Sequence, residues 1–219
     1  MRPAVIEGAF PRGGFGHAKM VPMDSLKAEI AATAARLVAD DGMEYGPAKR
    51  QAVKQLGLPA KTPLPGNDEL EAALREHIAL FCADTQPGEL AILRSLALLW
   101  MERMALFRPY LSGAVWHGLA TRHSDIYIQL FCDDSKSAEI MLIDQRVAYE
   151  ARTVAGLHGE AVEALSLHAP SRELGETVGV HLLIYDFDDL RGALKPDPQG
   201  RSPRGDLAAV RALVHDGGL

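Results

Sequence analysis

A chain of 219 residues can form one generous domain or two small ones with an ample core. With 47% hydrophobic and 24% charged residues it has the composition of an ordinary globular protein. Its net charge of -6 argues against a broad nucleic-acid footprint. The only two cysteines, Cys82 and Cys132, each follow a phenylalanine in an apolar run and read as reduced, buried thiols rather than a disulfide. Residues 1–20 mix Gly, Pro and charge and lack the apolar core of a signal peptide. The most apolar run, "ELAILRSLALLWMERMALF", is broken by Arg94, Ser95, Glu102 and Arg103, so it reads as a buried helix and not a membrane span. These features predict a cytoplasmic protein.

Residues 1–23, rich in Gly and Pro without periodicity, read as a flexible leader. Asp24 or Ser25 then caps a helix with Leu26, Ile30, Ala34, Leu37 and Val38 on one face, ended by Gly42. A second helix starts near Pro47 and runs to Gly57, and the prolines of "LPAKTPLPG" stop it. Asn67 or Asp68 caps a third, with Leu70, Ala73, Leu74, Ile78 and Phe81 as its apolar stripe. A fourth, over roughly 89–107, is apolar around more than half its circumference and so should be central.

At Arg108-Pro109 the period changes. Alternating apolar and polar residues predict strands near 110–116, 125–131, 147–153, 163–169 and 178–186, with a helix at about 135–145. The stretch after Asp186 reads as turns, and a closing helix covers "DLAAVRALV". The fold class is therefore α+β: a helical N-terminal region at 24–107 and an α+β domain at 108–219 with a mixed β-sheet and flanking helices.

The segment "YLSGAVWHGLATRHSDIYIQLFCDD" places Gly113 at the end of one strand and Asp125 at the start of the next. This order resembles the nucleotidyltransferase fold of the DNA polymerase β superfamily. There a Gly followed by Gly or Ser ends one strand, and an acid-apolar-acid triplet comes some ten residues on. The segments "RPYLSGAVWHGLATRHSDIYIQLF" and "YDFDDLRGALKPDPQGRSPRGDLAAVRALV" are also similar to a group of uncharacterised proteobacterial nucleotidyltransferase-like proteins. The resemblance implies a phosphate side at Ser112 and Gly113, with Asp125 as catalytic acid and Mg²⁺ ligand. It also implies a third acid on a neighbouring strand, for which Glu150 and Asp186 are the candidates. The place of the second acid is held by Tyr127, a neutral phenol and a poor Mg²⁺ ligand. Arg122, between the glycine loop and the acidic strand, is a candidate contact to a nucleotide phosphate.

The leading expectation is thus a degenerate, non-catalytic nucleotide- or protein-binding module. An active Mg²⁺-dependent nucleotidyltransferase is the alternative. A third reading rests on the N-terminal helices, whose cadence resembles a tetracycline-repressor-type DNA-binding domain, with Lys49, Arg50 and Lys54 facing phosphates. The proline-rich loop after them, where a recognition helix is needed, and the acidic total both disfavour DNA as a partner. Asp133 and Asp134 read as a turn and a helix cap. His117, His123 and Asp125 lack the spacing of a zinc site. No serine or cysteine nucleophile elbow, P-loop or dinucleotide fingerprint is present.

Overall fold

The computed structural model describes residues 23–157, 159–196 and 200–216, and the expected leader before Met23 lies outside them. Helix α1, Met23–Asp41, ends where Gly42 turns left-handed at φ +64°. Helices α2, Tyr45–Gln55, and α3, Asn67–Phe81, pack with it. Together they bury Ile30, Ala34, Leu37, Leu70, Leu74 and Ile78 as a small core of their own. Phe81, expected on that stripe, is 74% exposed, because it sits in the last turn of α3, beyond Ile78.

Helix α4, Gln86–Arg103, leads into one 3₁₀ turn at Ala105–Phe107. Then come β1, Tyr110–Ser112, and a short helix α5, Gly113–His117. The strand expected to reach 116 stops at 112, where Gly113 at φ +71° turns the backbone out of the strand. The remaining elements are β2 (Ile126–Cys132), α6 (Ser135–Asp144), β3 (Glu150–Ala155), β4 (Ala161–Ser171) and β5 (Glu176–Asp186). The stretch expected to be turns contains α7, Leu190–Ala193, and β6, Arg204–Asp206, before α8, Leu207–Asp216.

The protein is α+β, with one six-stranded mixed sheet in the order β3-β4-β5-β2-β1-β6. Only β2 and β5 run parallel; every other pair is antiparallel. Alternation along the strands divides the sheet's two faces. Ile126, Ile128 and Leu130 of β2 join Val180, Leu182 and Ile184 of β5 in the main core. Helix α4 packs into that same core through Leu93, Ala97, Trp100 and Met101, all essentially buried. Leu99 of the same helix is 51% exposed, so the burial is not the all-round one that its apolar circumference suggests. On the opposite face, at the far end of β2, Phe131, Val162, Tyr185 and Ala193 form a smaller cluster. The near end of that face, by Asp125 and Tyr127, is polar, and the α1–α2 turn reaches it through Glu44. No helix among the described residues is long and apolar enough to cross a membrane.

Candidate functional site

The site is built where the β1–β2 connection meets the turn between α1 and α2. Ser112 is extended, and Gly113 then takes a left-handed conformation that a side chain would strain. Helix α4 pins the chain from Val115 to Ala120. The Gln86 side-chain amide donates to the carbonyls of Gly118 (3.1 Å) and Ala120 (2.9 Å), and Arg94 donates to the Val115 carbonyl at 3.2 Å. The buried Thr121 hydroxyl donates to the Ala39 carbonyl at 2.7 Å, tying the helical region to this loop. These bonds satisfy backbone carbonyls that would otherwise be left without partners in the interior.

Asp125 emerges at the head of β2, beside Gly179 on β5. A Cβ added at Gly179 would lie 2.4 Å from the Asp125 carboxylate, so only glycine leaves it room. His181 Nε2 is 3.1 Å from Asp125 Oδ2, and His181 Nδ1 is 2.9 Å from Ser166 Oγ on β4. One tautomer satisfies both contacts: Ser166 O–H donates to Nδ1, and Nε2–H donates to the carboxylate. The His181 hydrogen bond, helped by a Gly179 N–H and by nearby His168, holds the Asp125 carboxyl below its ordinary value against the opposing effect of burial.

Tyr127 pairs with His181 across the parallel register, and the two rings stack at 4.8 Å and 28°. The phenol O–H donates to Glu44 at 3.1 Å, and the Ser112 hydroxyl donates to the Tyr127 carbonyl at 3.3 Å. Burial first, and then the Glu44 carboxylate, push the Tyr127 phenol far above its ordinary pKa. It is therefore neutral at any physiological pH. Tyr127 and Glu44 line two adjoining cavities. One, of about 310 Å³, also takes in Tyr45, Glu71, Gly113, His117 and Asp125. The other, of about 320 Å³, lies over the sheet and includes Arg152, Ser166 and His181.

The sequence-derived candidates fall in different places. Ser112, Gly113 and Asp125 do come together at the first cavity, with Gly113 and Asp125 in its wall. Arg122 does not line either cavity. Its guanidinium donates to Glu176 at 3.1 Å and to the Leu174 carbonyl at 3.0 Å, and its backbone N–H donates to Glu89. It is thus a brace between the β4–β5 turn and α4. Asp186 is opposite Cys132 in the register, whereas Asp125 precedes Ile126, which faces Val180. Asp125 and Asp186 therefore stand at opposite ends of the β2–β5 pair, roughly 20 Å apart at about 3.3 Å per residue. Asp186 instead accepts the Asp188 N–H at 2.9 Å. Glu150 faces Ser166 on the edge strand β3.

Among the described residues no three His, Cys, Asp or Glu side chains gather as metal ligands. The set expected for Mg²⁺ does not fit: its first acid is bonded to His181, its second place is a phenol, and β5 offers His181 beside them where an acid is needed. His117 and Asp125 share a cavity wall, but His123 is not in it. Asp134 caps α6, accepting from Lys136 N–H at 3.0 Å. Lys49 is only 7% exposed and donates to Asn67 at 2.7 Å, so it is withdrawn from the basic face that DNA would need.

The residues that the sequence did not reveal are Glu44, Glu71, Tyr45, Ser166 and His181. Each reaches the site from an element far away in the chain. The polar phase of β5, Gly179 and His181 on either side of buried Val180, is the one local signal.

No family model and no curated protein matches this chain. Among solved structures, it is similar to the Cid1 poly(U) polymerase bound to MgGTP, at 13% identity and a TM-score of 0.34, over 49% of this chain and 38% of that one. It is also similar to Cid1 in complex with the UTP analogue UMPNPP, at 14% identity and a TM-score of 0.31, over 46% and 31% of the two chains. The chain thus matches less than half the length of either structure.

Proposed function

We propose that this chain is a non-catalytic binding module on a nucleotidyltransferase-like frame, related to the proteobacterial proteins its sequence resembles. A nucleotide or a protein segment is the ligand, and the cleft between α1–α3 and the head of β2 is its site. The frame is supported by the order of parts: a glycine that turns β1 into a short helix, an acid at the head of β2, and a parallel neighbour strand. One observation carries the loss of catalysis. Asp125 is committed to His181, while the next same-face position on β2 is a phenol hydrogen-bonded to Glu44. Two-metal phosphoryl transfer needs carboxylates that share ions about 3.5–4 Å apart, and one committed carboxylate cannot grip both.

Titration calorimetry with each nucleoside triphosphate, with and without Mg²⁺, tests the reading. Saturable binding that is indifferent to Mg²⁺ and is lost in Tyr127→Ala supports a nucleotide-binding module. Binding that requires Mg²⁺ and is lost in Asp125→Asn supports the active-enzyme alternative instead.

A further inference from the structure

The cavity of about 320 Å³ over the sheet has a hydroxyl nucleophile in its wall. Ser166 of β4 is 6% exposed, yet it lines that cavity beside His181, the residue opposite it on β5 in the antiparallel register. Among the described residues its hydroxyl has His181 Nδ1 as its one hydrogen-bond partner, at 2.9 Å. His181 Nε2 is in turn 3.1 Å from Asp125 Oδ2. A hydroxyl within hydrogen-bond reach of a base, with that base oriented by a third group, is the arrangement that activates a serine.

Each link is held in place. The Tyr127 ring stacks on the imidazole at 4.8 Å and fixes its plane. Gly179 leaves the room in which the Asp125 carboxylate meets that ring. The carboxyl is held below its ordinary value, chiefly by the His181 hydrogen bond, so it is ionised at neutral pH and keeps the proton on Nε2. Nδ1 is then the basic nitrogen, and it is the one that faces Ser166. In the familiar serine-protease order the two nitrogens are exchanged, but either is basic when the other carries the proton. Arg152 of β3 lines the same cavity on the same sheet face, and it has no hydrogen bond or ion pair among the described residues. Its guanidinium is a donor for a carbonyl oxygen that turns negative.

We infer that Ser166, His181 and Asp125 form a serine-hydrolase triad that cleaves small carboxylic esters in the cavity over the sheet. Ser166 Oγ attacks the ester carbonyl carbon as its proton passes to His181 Nδ1. The bond to the alcohol oxygen then breaks, and the departing alkoxide takes that proton, leaving an acyl ester on Ser166. Water attacks the acyl carbon and gives a proton to the same nitrogen; the proton returns to Ser166 Oγ as the carboxylic acid leaves. Asp125 is a positioning residue, acting through the imidazole. Val154, Ala164 and Leu183 give the acyl group an apolar wall, and the volume suits a small one. The inference goes beyond the binding-module reading, whose loss of catalysis concerns metal-dependent nucleotidyl transfer at the head of β2. It also gives the commitment of Asp125 to His181 a use.

Two probes test it on the full chain. A fluorophosphonate, which loses fluoride as an activated serine oxygen bonds to its phosphorus, should label Ser166 and no other serine, as read by peptide mass spectrometry. Hydrolysis of p-nitrophenyl acetate, above the buffer rate, should fall at least about a hundred-fold in kcat in Ser166→Ala and in His181→Ala. Asp125→Asn should lower kcat by a similar factor and leave KM within about two-fold, a split that a merely structural role would not give. Arg152→Ala should lower kcat at least about ten-fold. Thermal melting reports that the variants fold, and labelling of the parent needs no variant. No adduct at Ser166, or hydrolysis by folded Ser166→Ala equal to that of the parent, overturns the inference. Nucleotide binding without any labelling of Ser166 leaves the binding-module reading standing and removes this one. Labelling of Ser166 in a chain that binds no nucleotide does the reverse.

Discussion

The imidazole of His181 lies between Asp125 and Ser166, 3.1 Å from one and 2.9 Å from the other, and this chain of contacts governs the acid at the head of β2. Because Asp125 has its carboxyl held below the ordinary value, it contributes stability that is present above the unfolded pKa of about 3.9. That contribution is lost as pH falls through the folded value. In His181→Ala, where the hydrogen bond that lowers it is gone and burial still opposes ionisation, the Asp125 carboxyl titration monitored by NMR should move upward. Asp125→Asn should lose less stability than the parent on acidification below the ordinary carboxylate range.

A methyl group at Gly179 would collide with the Asp125 carboxylate at 2.4 Å. Gly179→Ala should cost about 1–3 kcal/mol, as overpacked sites do, and should displace Asp125 from His181. Chemical denaturation reads the first effect and the His181 NMR shifts read the second.

The tyrosines titrate late. Burial and Glu71 push Tyr45 up to about 12, and burial with Glu44 takes Tyr127 further still. Spectrophotometric titration should show Tyr127→Phe removing the last-ionising group. A phenol with a raised folded pKa contributes stability that is full below about pH 10 and is lost above it. Alkaline denaturation of the parent should therefore begin in that window. At neutral pH the lost hydrogen bond to Glu44 should cost about 1 kcal/mol or less.

Much of the fold could be read in advance because periodicity is local. The helices α1–α4 and the strands β2, β4 and β5 each carry their own apolar rhythm, and the predicted spans agree to within a few residues. What escaped lay in single residues or in pairings. Gly113 cuts β1 short by its backbone conformation, which no period reports. The β6 strand has three residues, too short to alternate. At the site, Ser112, Gly113 and Asp125 were candidates only through the resemblance of one segment to a nucleotidyltransferase motif. His181 and Ser166 were not, because the parallel β2–β5 register and the antiparallel β4–β5 register that bring them to Asp125 are tertiary facts. Arg122 shows the converse: next to the site in sequence, it is spent on Glu176 and Leu174.

Removing Arg122 should therefore leave the cavities untouched. Arg122→Ala should lower stability by no more than about 1 kcal/mol, as exposed ion pairs do, and leave nucleotide affinity unchanged. A loss of affinity without a loss of stability would return Arg122 to the ligand.

The main core rests on the apolar face of β2. Ile128 is fully buried in the core shared by the sheet and α4, so Ile128→Ala should cost about 2–5 kcal/mol in chemical denaturation.

The proposed non-catalytic module should transfer nothing from triphosphates. Incubation of the full chain with Mg²⁺ and each α-labelled nucleoside triphosphate, with a count of label moved to protein, RNA or small acceptors, decides this. No transfer above that of Asp125→Asn is expected. Mg²⁺-dependent transfer by the parent that disappears in Asp125→Asn would show that the site is an active one.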